Sequence, residues 1–149
     1  MTASLIGFLS AALLFTTAAQ APPTKFLQQT QTGEDVAYTL VSCTGSRKAQ
    51  TVTVRFLVKN NAPTRDLQFA KLTAVDPAGA SYQTYDVGFG TTPRSSVATG
   101  INVKAAGVIK GVLPSVKSFA LVTLASYKKN SGPGKDVEME YRDVPITWQ

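Results

Sequence analysis

Histidine is absent from this chain of 149 residues, and cysteine occurs once, at Cys43. Without imidazole the chain has no base for a Ser-His-Asp triad or a Cys-His dyad, and the usual zinc sites lack their commonest ligand. A single cysteine also excludes an intramolecular disulfide and a dithiol redox pair. The sequence therefore excludes several large classes of enzyme site, and it predicts a fold that its apolar core alone must stabilise.

Phosphate-binding loops and amphipathic helices are missing as well. Residues 107–111 contain two glycines, but the lysine-threonine ending of a phosphate-binding loop does not follow them. No stretch combines a 3.6-residue period with capping residues, and no internal repeat occurs. Cys43 ends the apolar run 40–43, so we expect a buried, inert thiol in preference to an intermolecular disulfide.

A long uncharged run occurs at the amino end. Residues 4–19 carry no charge, are mostly apolar and finish in small residues, which is the layout of a secretory signal peptide. We expect residues 1–19 to be removed by cleavage after Ala19, because cleavage after Ala21 would leave Pro22 first. An uncleaved anchor is the alternative, although the run is shorter than the roughly 20 residues that cross a bilayer. The sequence thus predicts a secreted or periplasmic protein that meets the membrane only through a transient signal peptide.

The chain has an excess of positive charge, and its basic residues are spread along the sequence. Fifteen Lys and Arg against nine Asp and Glu give a net charge of +6, and adjacent basic residues occur only at 47–48 and 128–129. Proteins that bind nucleic acid usually concentrate their basic residues in a stripe, often with aromatic platforms. We therefore expect a solvated surface and no nucleic-acid partner, while weak attraction to anionic surfaces or glycans stays open.

Residues 51–60 have the clearest strand pattern in the chain. One face collects four apolar side chains: Val52, Val54, Phe56 and Val58. The opposite face is polar apart from Leu57, so the period of two predicts a half-buried strand in the centre of a sheet. The pattern stops at 60–63, where Asn and Pro favour a turn.

Alternation and apolar runs predict further strands. They lie at 36–43, 67–75, 81–87, 118–126 and 137–148, with short apolar segments at 101–103 and 108–113. The run 118–126 is apolar on both faces, which is typical of a strand in the middle of a sandwich. A bulge or kink is expected in 67–75, and a bulge at Asp143.

Turns and loops separate these strands. Residues 76–79 (Asp-Pro-Ala-Gly) predict a turn that makes a hairpin of the strands on either side. Loops are expected at 88–96 and 128–136, and a leader rich in Pro, Gln and Thr at 20–33. The spacing of the strands then predicts an all-β, antiparallel β-sandwich of about seven to eight strands over residues 34–149.

Four carboxylates near the carboxyl end are the candidates for chemistry: Asp136, Glu138, Glu140 and Asp143. Two carboxylates at a suitable separation support glycoside hydrolysis, and several together hold calcium. Acids that alternate opposite an apolar face are also typical of an exposed strand, and we favour that interpretation. No residue is therefore assigned a catalytic, cofactor-binding or metal-binding role, and no cofactor is expected.

Three aromatic residues lie close together in the sequence around a predicted loop: Tyr82, Tyr85 and Phe89. Such a group could stack on a sugar or a peptide. Aromatic side chains in sandwich strands more often pack in the core or against a neighbouring strand, and we favour that role here.

Four features resemble those of small exported bacterial proteins of unknown function. These are Asn60-Asn61 at a strand end, the turn 76–79 before a tyrosine, a Gly-rich middle, and the closing segment 142–148. The resemblance extends over most of 34–148. It implies export and an immunoglobulin-like sandwich, although the cysteine pair of antibody domains is absent, and it implies no catalytic residue.

Taken together, these patterns predict an exported, non-enzymatic domain with a binding or structural role at the cell surface or in the periplasm. Its expected partner is an unidentified protein or glycan, and loops 88–96 and 128–136 are the expected contacts. The alternatives are a carboxylate-dependent hydrolase, a glycan-binding module, or a subunit of a larger exported assembly.

Overall fold

The computed structural model of the chain describes residues 28–127 and 136–149. Its regular elements are eleven strands. In chain order they are β1 (Gln29–Gly33), β2 (Val36–Ser46), β3 (Thr51–Asn60), β4 (Arg65–Val75), β5 (Ser81–Thr84), β6 (Val87–Gly88), β7 (Arg94–Val97), β8 (Asn102–Lys110), β9 (Ser118–Tyr127), β10 (Asp136–Pro145) and β11 (Thr147–Trp148). The predicted all-β class and sandwich architecture are confirmed for these residues.

The strands form two sheets. The first sheet has the order β1-β2-β3-β8-β6, and the short β11 pairs in parallel with the end of β2. The second sheet has the order β10-β9-β4-β5, and β7 pairs with the beginning of β4. Strand β3 therefore lies between β2 and β8, and β9 lies between β4 and β10. Both strands that were predicted to be central are confirmed as such.

The core lies between the sheets, and each sheet contributes to it. The four side chains of β3 that were predicted to face inward are each at most 1% exposed. Fully buried residues of the second sheet include Leu72, Val122 and Leu124. The ring of Tyr141 packs against that of Phe56 with centroids 5.6 Å apart, and its hydroxyl donates to the carbonyl of Tyr38 at 2.9 Å. The Tyr141 side chain therefore joins the two sheets by packing and by a hydrogen bond.

Asn60 organises the turn after β3, although its side chain is buried. Its Nδ2 donates to the carbonyls of Pro63 and Val97, both at 3.0 Å, and its Oδ1 accepts from the Ala62 N–H at 3.1 Å. A buried amide is stable when its donors and acceptor are satisfied in this way. The predicted turn is confirmed, and it is tied to the end of β7.

The predicted turn 76–79 is also confirmed, and Asp76 shapes it. Its Oδ1 accepts from the N–H groups of Ala78 and Ala80, both at 2.9 Å. Gly79 has a φ of 88°, a conformation that favours glycine. Strands β4 and β5 form the expected hairpin.

The prediction of a loop over residues 88–96 is partly wrong, because Arg94–Val97 form β7. This strand pairs with β4 from Arg65 to Gln68. Only Val97 of its four residues is buried, so the segment offers no alternation of apolar and polar residues from which a strand could be predicted.

The division of 101–113 into two short segments is wrong too, because Asn102–Lys110 form the single strand β8. Gly107 suggested a bend in the sequence. In the structure a Cβ at Gly107 would lie 2.5 Å from Cδ2 of Leu72, so the glycine makes room for a core side chain of the opposite sheet. The bend comes instead at Gly111, where φ is 75°.

Two predicted strands are divided between the sheets. Residues 81–84 form β5 of the second sheet, whereas Val87 and Gly88 form β6 of the first. In the same way, β10 belongs to the second sheet and β11 to the first. Asp143 has a φ of 51°, but the register between β10 and β9 does not shift there: Arg142 pairs with Leu121 and Val144 with Phe119. No extra residue is inserted, so the prediction of a bulge at Asp143 is wrong and the strand has a local backbone irregularity instead.

Residues 29–33 of the expected leader pair with β2 as strand β1. The signal peptide predicted at 1–19 and most of the loop predicted at 128–136 lie outside the described residues. The described residues contain no helix with the length and apolar character needed to span a membrane.

Candidate functional site

The four candidate carboxylates lie on β10, the outer strand of the second sheet. Glu138, Glu140 and Asp143 are exposed. Glu140 pairs with Arg142 at 3.1 Å, where the two side chains are 50% and 70% exposed, and such exposed pairs contribute little to stability. Charged side chains on an outer strand discourage pairing with a second molecule, which accounts for this pattern. Among the described residues, no group of three or more potential ligands is placed to hold a metal ion.

The three candidate aromatic residues face different surroundings. Tyr82 packs against Phe119 at 5.8 Å, and Phe89 stacks on Phe69 at 4.7 Å. Tyr85 is 71% exposed and borders a cavity of about 150 Å³ formed with residues 86–93. The structure therefore places Tyr82 and Phe89 in packing contacts and leaves Tyr85 as the exposed member of the group.

Cys43 is buried, as predicted. Burial raises the pKa of its thiol from 9.0 to about 12. The thiolate is the nucleophilic form of cysteine, so this thiol is inert at neutral pH.

The outer surface of the first sheet is positively charged, although the sequence shows no cluster of basic residues. All the charged residues on the strands of this sheet are cations, namely Arg55, Lys59, Lys104 and Lys110, and all are exposed. The strands of the second sheet carry five acids and four cations. We call the outward side of β2, β3 and β8, with its four cations, the basic face. It is the one surface of the described sandwich whose strands combine positive charge with an absence of acids.

A groove of about 510 Å³ runs across the basic face. Its side-chain floor is formed by Val41, Leu57 and Ala106, one residue from each of the three strands, and Arg55 and Lys104 stand at its rim. Register places Arg55 opposite Ala106 and Leu57 opposite Lys104, so cationic and apolar side chains alternate across the β3–β8 pair. The groove thus combines an apolar floor with two cations.

A β-bulge is centred on Val41, one of the residues that line this groove. The pairing of β2 with β3 shifts register between Leu40 and Ser42, so Val41 is the extra residue. Bulges change the direction of a side chain and are common beside functional sites. Without the bulge, the inward alternation of Tyr38 and Leu40 would place Ser42 inward; instead Cys43 is buried and both Val41 and Ser42 stay partly exposed.

A second, polar depression adjoins the groove beyond Arg55. It has a volume of about 150 Å³. Hydroxyl groups line much of it, those of Thr44, Ser46, Thr51 and Thr53. Nη1 of Arg55 donates to Oγ1 of Thr44 at 3.0 Å, which holds the guanidinium between the apolar groove and the polar depression. Arg55 is therefore available to both.

Comparison with protein-family models gives no match for this chain. Comparison with curated proteins gives none either.

Proposed function

We propose that this protein is an exported, non-enzymatic, immunoglobulin-like domain that binds an anionic ligand on its basic face. The uncharged run 4–19 supports export, because it has the layout of a signal peptide. The observation that carries the binding role is the all-cationic charge of the first sheet, set beside a groove with an apolar floor.

The order of the strands supports the immunoglobulin-like type. In that fold, strands A, B, E and D form one sheet, and C, F and G form the other. If β2, β3, β8 and β6 are taken as A, B, E and D, then β4, β9 and β10 take the places of C, F and G. The position of β5 beside β4 matches the additional strand C′.

The ion pairs of the described residues support an anionic ligand. Arg94 pairs with Asp66 and Arg142 with Glu140, and all four residues belong to the second sheet. The described cations of the basic face form no such pair. Cations on strands that carry no acid create a positive potential that attracts anions and raises their association rate.

The experiment compares two variants of the full chain with equal net charge. The first replaces Arg55, Lys59, Lys104 and Lys110 with Gln, and the second replaces Lys71, Arg94, Lys117 and Arg142 with Gln. Binding to immobilised polygalacturonate, a polymer of carboxylates, is measured at low salt, with neutral dextran as the control polymer. We expect the first variant to bind polygalacturonate about tenfold or more weakly and the second to bind within about twofold of the wild type.

Equal weakening of the two variants would show that net charge, and not the basic face, governs binding, and the proposal would fail. Binding to dextran that is equally strong in the wild type and in both variants would support the glycan-binding alternative. The hydroxyl-lined depression beside Arg55 is the feature that favours this alternative.

A further inference from the structure

The groove on the basic face has two kinds of lining that one ligand can satisfy together. Its floor of Val41, Leu57 and Ala106 suits an alkyl group, and its rim carries Arg55 and Lys104. We propose that the anionic ligand of this protein is an alkyl carboxylate, with its chain along the floor and its carboxylate between Arg55 and Lys104. This inference rests on the proposed function and names the chemical class of its ligand.

The size of the groove fits a small molecule. Ligand-binding clefts typically have volumes of about 300–1,000 Å³ and are mainly apolar, with a few polar groups that fix the orientation of the ligand. The groove, at about 510 Å³, has this composition. The cavities of about 150 Å³ beside Tyr85 and Thr44 are smaller and lined mainly by polar groups.

The apolar floor departs from what the surface of a sheet normally presents. Leu57 occupies an outward position of a strand whose other outward residues are Thr51, Thr53, Arg55 and Lys59. Val41 lies on the same surface, since Tyr38 and Leu40 of β2 face inward and Val41 follows them in alternation. Two branched aliphatic side chains and Ala106 thus meet where alternation would place polar groups, and burial of this surface by an alkyl chain is favourable.

The rim selects the charge of the ligand. The guanidinium of Arg55 already donates to the Thr44 hydroxyl, which orients it at the junction of groove and depression. Its remaining N–H groups match the two oxygens of a carboxylate, and hydrogen bonds between charged partners are stronger than neutral ones. Because the first sheet has no acid on its strands, a neutral or cationic amphiphile would leave these cations without a partner.

The alternative occupant to be tested is the chain's own segment before Gln28. Gln28 lines the groove, and the residues that precede it include Phe26 and Leu27. If those residues filled the groove, the full chain would leave no room for an alkyl chain. The experiment below therefore uses the full chain.

The test is calorimetric titration of the full chain with sodium dodecanoate below its micelle concentration. Dodecyl maltoside provides the same chain without a charge, and acetate provides the charge without a chain. We expect one dodecanoate to bind per molecule, with affinity at least about tenfold above that for either control.

Two variants locate the site. Ala106→Trp fills the groove, and its matched control is Val108→Trp on the same outward side of β8, which is not part of the groove lining. The double variant Arg55→Gln with Lys104→Gln removes the rim charges and leaves the floor intact. We expect Ala106→Trp and the double variant each to weaken dodecanoate binding about tenfold or more, and Val108→Trp to change it less than about twofold.

Several results would overturn the inference. These are dodecyl maltoside binding as tightly as dodecanoate, full affinity in the double variant, and no dodecanoate binding by the wild type, which is also the result expected if the chain's own residues fill the groove. If dodecanoate does not bind while polygalacturonate still binds through the basic face, the assignment of an alkyl carboxylate is wrong and the proposed function stands. If neither ligand binds through the basic face, both the assignment and the proposed function are wrong.

Discussion

The side-chain amide of Gln29 forms two hydrogen bonds with the backbone of Arg142, as a residue of a neighbouring strand would. Its Nε2 donates to the Arg142 carbonyl at 2.6 Å, and its Oε1 accepts from the Arg142 N–H at 3.0 Å. Gln29 belongs to β1 of the first sheet and Arg142 to β10, the outer strand of the second. The pair therefore joins the two sheets at one side of the sandwich and satisfies an outer-strand peptide group that would otherwise be open to pairing.

Replacement of Gln29 should measure this connection. We expect Gln29→Ala to lower the free energy of unfolding by about 1–2 kcal/mol, because each hydrogen bond contributes a net ~0.5–1.5 kcal/mol and these two are partly exposed. Urea denaturation gives the value. Gln31→Ala, at an exposed position of the same strand, is the control and should change stability by less than about 0.5 kcal/mol. Equal effects of the two substitutions would contradict a specific role for Gln29.

The turn between β1 and β2 stores backbone strain at two residues. Glu34 and Asp35 have φ values of 50° and 63°, which is the geometry of a type I′ hairpin turn. Asn and Gly favour this turn, whereas Glu and Asp adopt positive φ at a cost.

Glycine at the second position should relieve that strain. We expect Asp35→Gly to raise the free energy of unfolding by about 0.5–1 kcal/mol, because the cost of positive φ disappears and exceeds the added entropy of the unfolded chain. Thr32→Gly, in the extended strand β1, should have the opposite sign. A fall in the melting temperature of Asp35→Gly would show that the carboxylate of Asp35 stabilises the turn more than its backbone conformation costs.

The Tyr141 hydroxyl should contribute to stability through its partner in the opposite sheet. We expect Tyr141→Phe to lower the free energy of unfolding by about 1–2 kcal/mol, because the buried hydrogen bond to the Tyr38 carbonyl is lost while the ring stays in place. Tyr127→Phe, at a half-exposed position, is the matched control. If both variants unfold at the wild-type urea concentration, the hydroxyl does not help to hold the sheets together.

The strands with strong alternation could be predicted from the sequence because their side chains carry the signal themselves. This is true of β3 and of β9, which is apolar on both faces. Strand β1 was not predicted because its residues are polar or glycine and none of them is fully buried, so it shows no alternation of apolar and polar side chains. In addition, its turn lacks the Asn-Gly pair that marks a hairpin. Strand β7 was not predicted for a similar reason, since it has one buried residue.

The candidate site was only partly visible in the sequence. Leu57 stood out as an apolar residue on a polar face, but no groove was predicted from it. Val41 gave no such signal, because it lies within the apolar run 40–43, in which inward and outward residues look alike. The cations of β3 and β8 lie more than 40 positions apart in the chain, and only the pairing of these strands brings them onto one face. Charge clustering created by strand pairing is not a property of local sequence.

Cys43 should make the stability of the protein depend on alkaline pH. Its pKa is about 12 in the folded protein because burial disfavours the thiolate, against 9.0 for an exposed thiol. Between these values the unfolded chain loses a proton that the folded chain keeps, so the contribution of this thiol is intact below pH 9.0 and is lost as pH rises toward about 12. Burial also raises the pKa of Tyr141 and Tyr38, which adds to the loss at higher pH.

Urea denaturation of the wild type and Cys43→Ala at a series of pH values from 8 upward isolates the thiol. We expect the free energy of unfolding to fall as pH rises in both proteins, but less steeply in Cys43→Ala. The difference between the two slopes should correspond to the release of up to one proton per molecule on unfolding, the proton of the Cys43 thiol. Val54→Ala, at the buried position that pairs with Cys43 across the β2–β3 ladder, is the control: it should lower stability by a similar amount at every pH and keep the wild-type slope. Parallel curves for wild type and Cys43→Ala would mean that the thiol ionises as readily in the folded protein as in the unfolded chain, which its burial in the core should prevent.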